Sequence, residues 1–316
     1  MKLLRITAEG LPLFKGKLDL DFYAQQRIAE EQKESLYRLF SNVYLNPSTG
    51  IIGINASGKT SVLKVVLLAL EIINNEPINH IETRDILGNA KKVVLNVYFY
   101  SEKTNDICRL ETVIASRQGR SEQKNYSIIS ESLWEKSADE VNTRKAMLDF
   151  SRKNPIVNRD DREEFLSDDV SILIARNKKT KEHIRIVNLL KYTDQNILPF
   201  SEDIPESVIT FLDPTVEWLH FDKNESKPLV RLKFRGEDEI LLNNQAELNR
   251  YLSSGTIKGM ITFTLAQEVL RDGGYLVVDE IENHFNKEIV STLMRFFMDT
   301  RLNKNGGSLI FSTHYP

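Results

Sequence analysis

The 316-residue chain holds one cysteine, Cys108, which excludes an intramolecular disulfide framework and a multi-cysteine metal site and fits a reducing compartment. Set among β-rich letters, that cysteine reads as a small buried hydrophobe of a strand. Long apolar runs are missing as well. The best, Val65 to Leu70, falls far short of the roughly 20 residues that span a membrane. The start MKLLRITAEG lacks the apolar core of a signal peptide, so an unprocessed cytoplasmic protein that makes no use of a membrane is expected. There is no basic excess: 42 Lys and Arg against 45 Asp and Glu give a formal charge of −3, so the net field draws in no nucleic acid and only a local basic patch could. No sustained heptads occur, which excludes a coiled-coil arm. His80, His183, His220 and His284 show no metal-ligand spacing.

What is present is ordinary for a soluble globular chain with a sizeable core: 41% hydrophobic and 28% charged residues. LLRITAEG and KLDLDFYA read as a β-hairpin. AQQRIAEEQKESLYRLF reads as a helical insertion with Ile28, Leu36, Leu39 and Phe40 on one face. NVYLNPSTGIIGINASGKTSVLKVVLLALEII is a strand, a glycine-containing loop and a helix. KKVVLNVYFY, CRLETVIAS and NYSIIS follow as antiparallel strands. The charged stretch from Leu133 to Phe211 reads as an inserted helical arm. PLVRLKFRG and DEILLNN are strands, TIKGMITFTLAQEVLRDGG is a helix stopped at Gly273-Gly274, and GYLVVDE and GGSLIFSTH carry continuous apolar runs of buried parallel strands. The order implies a split α/β nucleotide domain: residues 1–130 as an N-terminal lobe, 131–211 as the arm, and 212–316 as a C-terminal lobe.

Gly53 to Thr60, GINASGKT, fits the phosphate-loop pattern G-x-x-x-x-G-K-[ST] at every position and in the required strand-to-helix context. Backbone N–H groups of Gly53, Ile54, Asn55, Ala56, Ser57 and Gly58 and the helix N-terminus can cradle phosphate oxygens, with Lys59 on the outer phosphates. Thr60 supplies a hydroxyl to Mg²⁺. In LVVDE, Asp279 would hold Mg²⁺ and Glu280 would orient or deprotonate a water, the two tasks phosphoryl transfer requires. The alternative is that both acids merely cap the next helix. His314 follows the apolar run SLIF and would reach the carboxyl edge of the sheet, where ligands bind. In LSSGT, the hydroxyls of Ser253 and Ser254, the N–H of Gly255 and a helix N-terminus make a second anion site. With the first site already holding phosphates, the second is useful if it closes on another subunit's nucleotide.

Together GINASGKT, LSSGT, LVVDEIENHF and FSTH, in this order, resemble the nucleotide-binding head of the ABC-type ATPases, in the branch containing the SMC, RecF and OLD groups. GINASGKTSVLK and DEIENHF resemble the AAA-type ATPases of the abortive-infection, antiphage group. The resemblance implies an α/β P-loop NTPase of ABC type with an antiparallel β subdomain and an inserted helical arm, binding ATP and Mg²⁺. It implies that Gly53, Asn55, Gly58, Lys59, Thr60 and Ser61 form the phosphate loop, Asp279 is the metal-linked acid, Glu280 the catalytic base, and His314 the switch histidine. Ser253 and Gly255 would contact the γ-phosphate in trans across a head-to-tail dimer whose ATP-driven closure controls a separate effector, a nuclease or toxin. Asn286 stands where related heads often carry an aspartate. Gln118 and Gln123 are both candidates for the Q-loop. Such heads continue with another strand and helix past the point where this chain ends, which implies an incompletely represented chain. Two other readings stay open: a RecF- or SMC-like DNA-maintenance ATPase, and a scaffold that binds ATP with little turnover.

Overall fold

A computed structural model describes residues 1–117, 125–160, 166–190, 204–222, 229–283 and 285–315. The chain opens with the expected hairpin, β1 (Lys2–Glu9) against β2 (Leu18–Asp21). The next segment departs from the expected helix: only a short 3-10 turn spans Glu30–Ser35, and β3 (Tyr37–Phe40) pairs with β4 (Val43–Leu45). Ser41, at φ 44°, makes the reversal between them, so Leu36 to Phe40 joins a local hairpin rather than a helix face.

β5 (Ser48–Ile52) leads through the GINASGKT loop into α1 (Lys59–Ile73). β6 (Val93–Ser101), β7 (Asp106–Arg117) and β8 (Asn125–Ser137) are the three antiparallel strands read from the sequence. The expected helical arm at 131–211 is corrected in its described part. It holds α2 (Arg144–Leu148), the two-residue strand β9 (Val157–Asn158), α3 (Leu173–Thr180), β10 (Ile186–Leu189) and the start of α4 (Glu206–Leu212). The lobe boundary at 130 falls inside β8, which continues to Ser137 because its alternating residues pair with β7 along its length. β11 (Val216–Asp222), for which the sequence raised no expectation, pairs with β12 (Leu229–Phe234), and β12 with β13 (Ile240–Leu242). α5 (Ser254–Asp272), β14 (Tyr275–Val278), α6 (Lys287–Met298) and β15 (Ser308–Thr313) complete the chain.

The strands form a six-stranded antiparallel sheet in the order β2-β1-β6-β7-β8-β9 and a four-stranded parallel sheet in the order β10-β14-β15-β5, with smaller sheets β11-β12-β13 and β3-β4. This is a mixed α/β fold with a parallel core. Alternation along the central strands explains their continuous apolar runs. Tyr275, Val277 and Ile310 face one core with α1, whereas Leu276, Val278, Leu309 and Phe311 face a second core with α5 and α6. The first core also takes in Leu3, Ile6, Leu95, Val97, Phe99 and Leu110 of the antiparallel sheet. Helix α1 therefore lies between two sheets, which accounts for its burying Leu63, Val65, Val66, Leu67, Leu68, Ala69, Leu70, Ile72 and Ile73 around most of its circumference, while Thr60, Lys64 and Glu71 stay at least partly exposed. Residues from both ends of the sequence share this core, so the N- and C-terminal lobes are one packed body. Cys108 is buried in β7, and burial pushes its thiol pKa well up. Among the described residues no helix is long and apolar enough to cross a membrane.

Candidate active site

Register places the site. In the parallel sheet Thr313 pairs with Ile52, and Phe311 with both Gly50 and Val278. The residues that leave the strands next, Gly53, Asp279 and His314, therefore emerge at one carboxyl edge, where open α/β sheets bind ligands. The three motifs are far apart in sequence; three adjacent parallel strands suffice to join them.

The loop enters α1 through Gly58, whose φ of 90° is left-handed and would strain any other residue. The first-turn N–H groups of α1 have no helical carbonyl to bond and are aimed out of the helix N-terminus. Lys59 is 7% exposed, and its ammonium donates to the carbonyls of Gly53 (2.9 Å) and Ile54 (3.2 Å) and to Nδ1 of His314 (3.1 Å). These contacts engage all three of its donors. Because a lysine ammonium cannot accept, His314 accepts at Nδ1 and carries its ring proton on Nε2. That nitrogen faces Glu280 Oε1 at 3.5 Å.

Asp279 sits against the helix end. The Thr60 hydroxyl donates to Asp279 Oδ2 at 2.7 Å, and the Ser312 hydroxyl donates to Asp279 Oδ1. Glu280 has φ 46°, left-handed for a non-glycine residue, and its N–H donates to Ser312 Oγ at 2.7 Å. Asn283 donates through Nδ2 to Glu280 Oε2. Glu282 accepts the His314 N–H on Oε1 at 2.5 Å, which ties the turn after β14 to the end of β15. Three acids, a histidine, a lysine and two hydroxyls thus converge in one cluster, Asp279 and Glu280 being the two the motif supplies. Neither acid caps the next helix: that is Asn286, whose side chain accepts from Ile289 N–H at 2.9 Å and begins α6.

The donor set suits a phosphate with a hard divalent cation. Thr60 is exposed, Asp279 is half-buried, and both offer oxygen, the ligand type Mg²⁺ takes alongside substrate phosphates. Lys59 already coordinates carbonyl oxygens at the mouth of the loop, a position from which it can exchange them for phosphate oxygens. Ile54, Asn55, Ala56 and Ser57 are exposed around that mouth, and Ser61 lies just inside the first turn of α1. Among the described residues there is no cluster of three His, Cys, Asp or Glu fit to hold a metal by protein ligands alone.

LSSGT is not drawn into this cluster. Ser253 is the N-cap of α5, accepting from Thr256 N–H at 3.0 Å and sharing a 2.8 Å hydrogen bond with the Thr256 hydroxyl. Ser253 and Ser254 are exposed and Gly255 is half-buried. The serine-capped turn is therefore real, and it presents an open helix N-terminus. Helix α5 then runs 19 residues to the Gly273-Gly274 reversal and into β14. At 1.5 Å per residue it is about 28 Å long, more than twice the length of that four-residue strand.

Sequence reasoning missed Ser312, Glu282 and Asn283. A small polar residue at the end of an otherwise apolar strand was the available signal for Ser312. Spacing was the signal for Asn283, three residues after Glu280 on a 3-10 turn. Gln118, Gln123 and His284 lie outside the described residues. His220 stacks on Trp218, with ring centroids 4.9 Å apart on β11, and His80 and His183 line a cavity with Glu71.

No curated protein matches the chain. A family model described as "AAA domain, putative AbiEii toxin, Type IV TA system" matches residues 48–316, a span that begins at β5 and includes every residue of the cluster. The chain belongs to this AAA-domain family of ATPases.

Proposed function

We propose that the chain is a Mg²⁺-dependent ATPase whose ATP-bound form pairs head to tail with a second copy, and that this pairing controls a separate effector in abortive-infection defence against phage. The observation that carries the enzymatic part is the convergence of Lys59, Thr60, Asp279, Glu280 and His314 at one sheet edge. The family's link to a toxin of a Type IV system supports the biological part.

In this reading, Lys59 releases the Gly53 and Ile54 carbonyls and bonds the outer phosphates, helped by the N-terminus of α1. Thr60 and Asp279 would hold Mg²⁺, which supplies charge neutralisation to the phosphates. Glu280 takes a hydrogen bond, and then a proton, from the attacking water. His314, with its proton on Nε2, donates on the side where Glu280 stands. Ser253, Ser254 and Gly255 act in trans: an exposed helix N-terminus with a serine hydroxyl suits the outer phosphate of a nucleotide held by the partner copy.

The test measures ATP turnover with and without Mg²⁺ and mass by sedimentation, for wild type and Glu280→Gln. Wild type should turn over only with Mg²⁺. Removing the base should cut turnover by about 100-fold or more and accumulate an ATP-bound dimer. A wild type that binds ATP and never hydrolyses it would refute the enzymatic reading.

A further inference from the structure

We propose that Ser312 is the positioning residue for both acids of the site, a role that rests on the ATPase reading above. It is the penultimate residue of β15 and is 0% exposed. A serine hydroxyl has one proton and two lone pairs. Here the proton goes to Asp279 Oδ1 and a lone pair accepts the Glu280 N–H at 2.7 Å. One buried side chain thus ties down two consecutive residues, one at its carboxylate and the next at its backbone.

Each tie has a chemical consequence. At Asp279, holding Oδ1 leaves Oδ2 directed at Thr60, so the carboxylate presents one defined oxygen on the side where Mg²⁺ would be held. At Glu280, the bond anchors a left-handed backbone, φ 46°, a conformation that is unfavourable for a non-glycine residue unless its surroundings impose it. The same backbone sets the carboxylate 3.5 Å from His314. Without the hydroxyl, the Glu280 N–H and Asp279 Oδ1 would lose their shared partner, and the peptide could relax toward an ordinary conformation. The neighbouring strand provides a contrast. Ser48 of β5 has its Oγ buried without any partner, so a serine can sit in this sheet with no bonding role, and Ser312 is different.

The experiment compares wild type, Ser312→Ala and the control Ser48→Ala in three readouts. These are nucleotide affinity in EDTA, the Mg²⁺ concentration at half-maximal tightening of ATP binding, and hydrogen exchange of the Glu280 amide in nucleotide-free protein. Ser312→Ala should keep its EDTA affinity within about twofold, since it leaves the phosphate loop alone. Its Mg²⁺ midpoint should rise at least about fivefold, from losing the hydrogen bond to the Asp279 carboxylate, and its Glu280 amide should exchange about tenfold faster, from losing the neutral hydrogen bond to the hydroxyl. Ser48→Ala should match wild type in all three. A wild-type midpoint together with wild-type exchange in Ser312→Ala overturns the proposal, whatever the melting temperature does. Should that variant fail to fold, Ser312→Cys, nearly the same shape with a weak sulfur donor, is read by the same criteria. A wild type without turnover removes the ATPase reading alone, because the deciding quantities are read on binding and on nucleotide-free protein.

Discussion

Replacing Glu71 with glutamine should stabilise the protein above neutral pH and make its stability less dependent on pH. Glu71 lies near the C-terminal end of α1, where the helix dipole disfavours negative charge, and lines a cavity of about 360 Å³ with Glu76 and Glu82. Burial first, then the charges of Glu76 and Glu82, push its carboxyl from 4.5 up to about 7. The folded state therefore holds its proton more tightly than the unfolded chain does. The stability this contributes is fully present below pH 4.5 and is lost as pH rises through about 7. Moving a pKa by one pH unit corresponds to about 1.36 kcal/mol, so the undiscounted effect is about 3.4 kcal/mol. The group is only half-buried, and solvent screening reduces this to about 1–2 kcal/mol. With an unfolding entropy of about 2.1 cal/mol/K per residue, that is about 2 °C in melting temperature for a chain of this length. Thermal melts of wild type and Glu71→Gln at pH 5 and pH 8 measure it. The variant should gain its roughly 2 °C at pH 8 and little at pH 5. An equal difference at both pH values, or a variant less stable at pH 8, would refute the linkage.

Gly274→Ala should destabilise by several kcal/mol in urea unfolding, because its Cβ would lie 2.1 Å from the Arg185 carbonyl oxygen and force β10 away from β14. Leu67→Ala, at a fully buried position of α1, should cost about 2–5 kcal/mol in the same assay. Thr60→Val should leave nucleotide binding in EDTA near wild type and weaken its enhancement by Mg²⁺, as read by titration. Ser253→Asp keeps an N-cap side chain for α5 while placing a negative charge at its exposed end; it should spare folding and ATP binding yet abolish the proposed ATP-driven dimer, and an intact dimer in sedimentation would return LSSGT to being a cap alone.

The sequence was most legible where one local rule dominated. The strand–loop–helix from Ser48 to Ile73 is dictated by the phosphate-loop spacing and the apolar helix behind it. The start and stop of α5 follow from a serine cap and a left-handed glycine. The charged letters over Ile28 to Phe40 favour helix, but the pairing of Tyr37–Phe40 with Val43–Leu45 overrides that preference. β10 was hidden inside the supposed arm. It is four residues long with Asn188 in its middle, and only the partner strand β14 marks it as part of the parallel sheet. At the site, strand ends followed by Asp279-Glu280 and His314 could be read one motif at a time. Ser312 could not be, because its role is a register relation between β14 and β15, and a sequence carries no explicit record of register.

Helix α1 bears on how such a site can respond to its ligand. Packed between two sheets, with nine apolar residues buried, it is a fixed post and not a lever. It cannot slide or rotate without disrupting the larger core on both sides, so the backbone of Lys59 and Thr60 stays where the fold puts it and only their side chains rearrange. In the proposed ATPase reading, movement coupled to the nucleotide then starts in the parts that surround the post: the Glu280–Asn283 turn with its left-handed first residue, and the segment carrying His314.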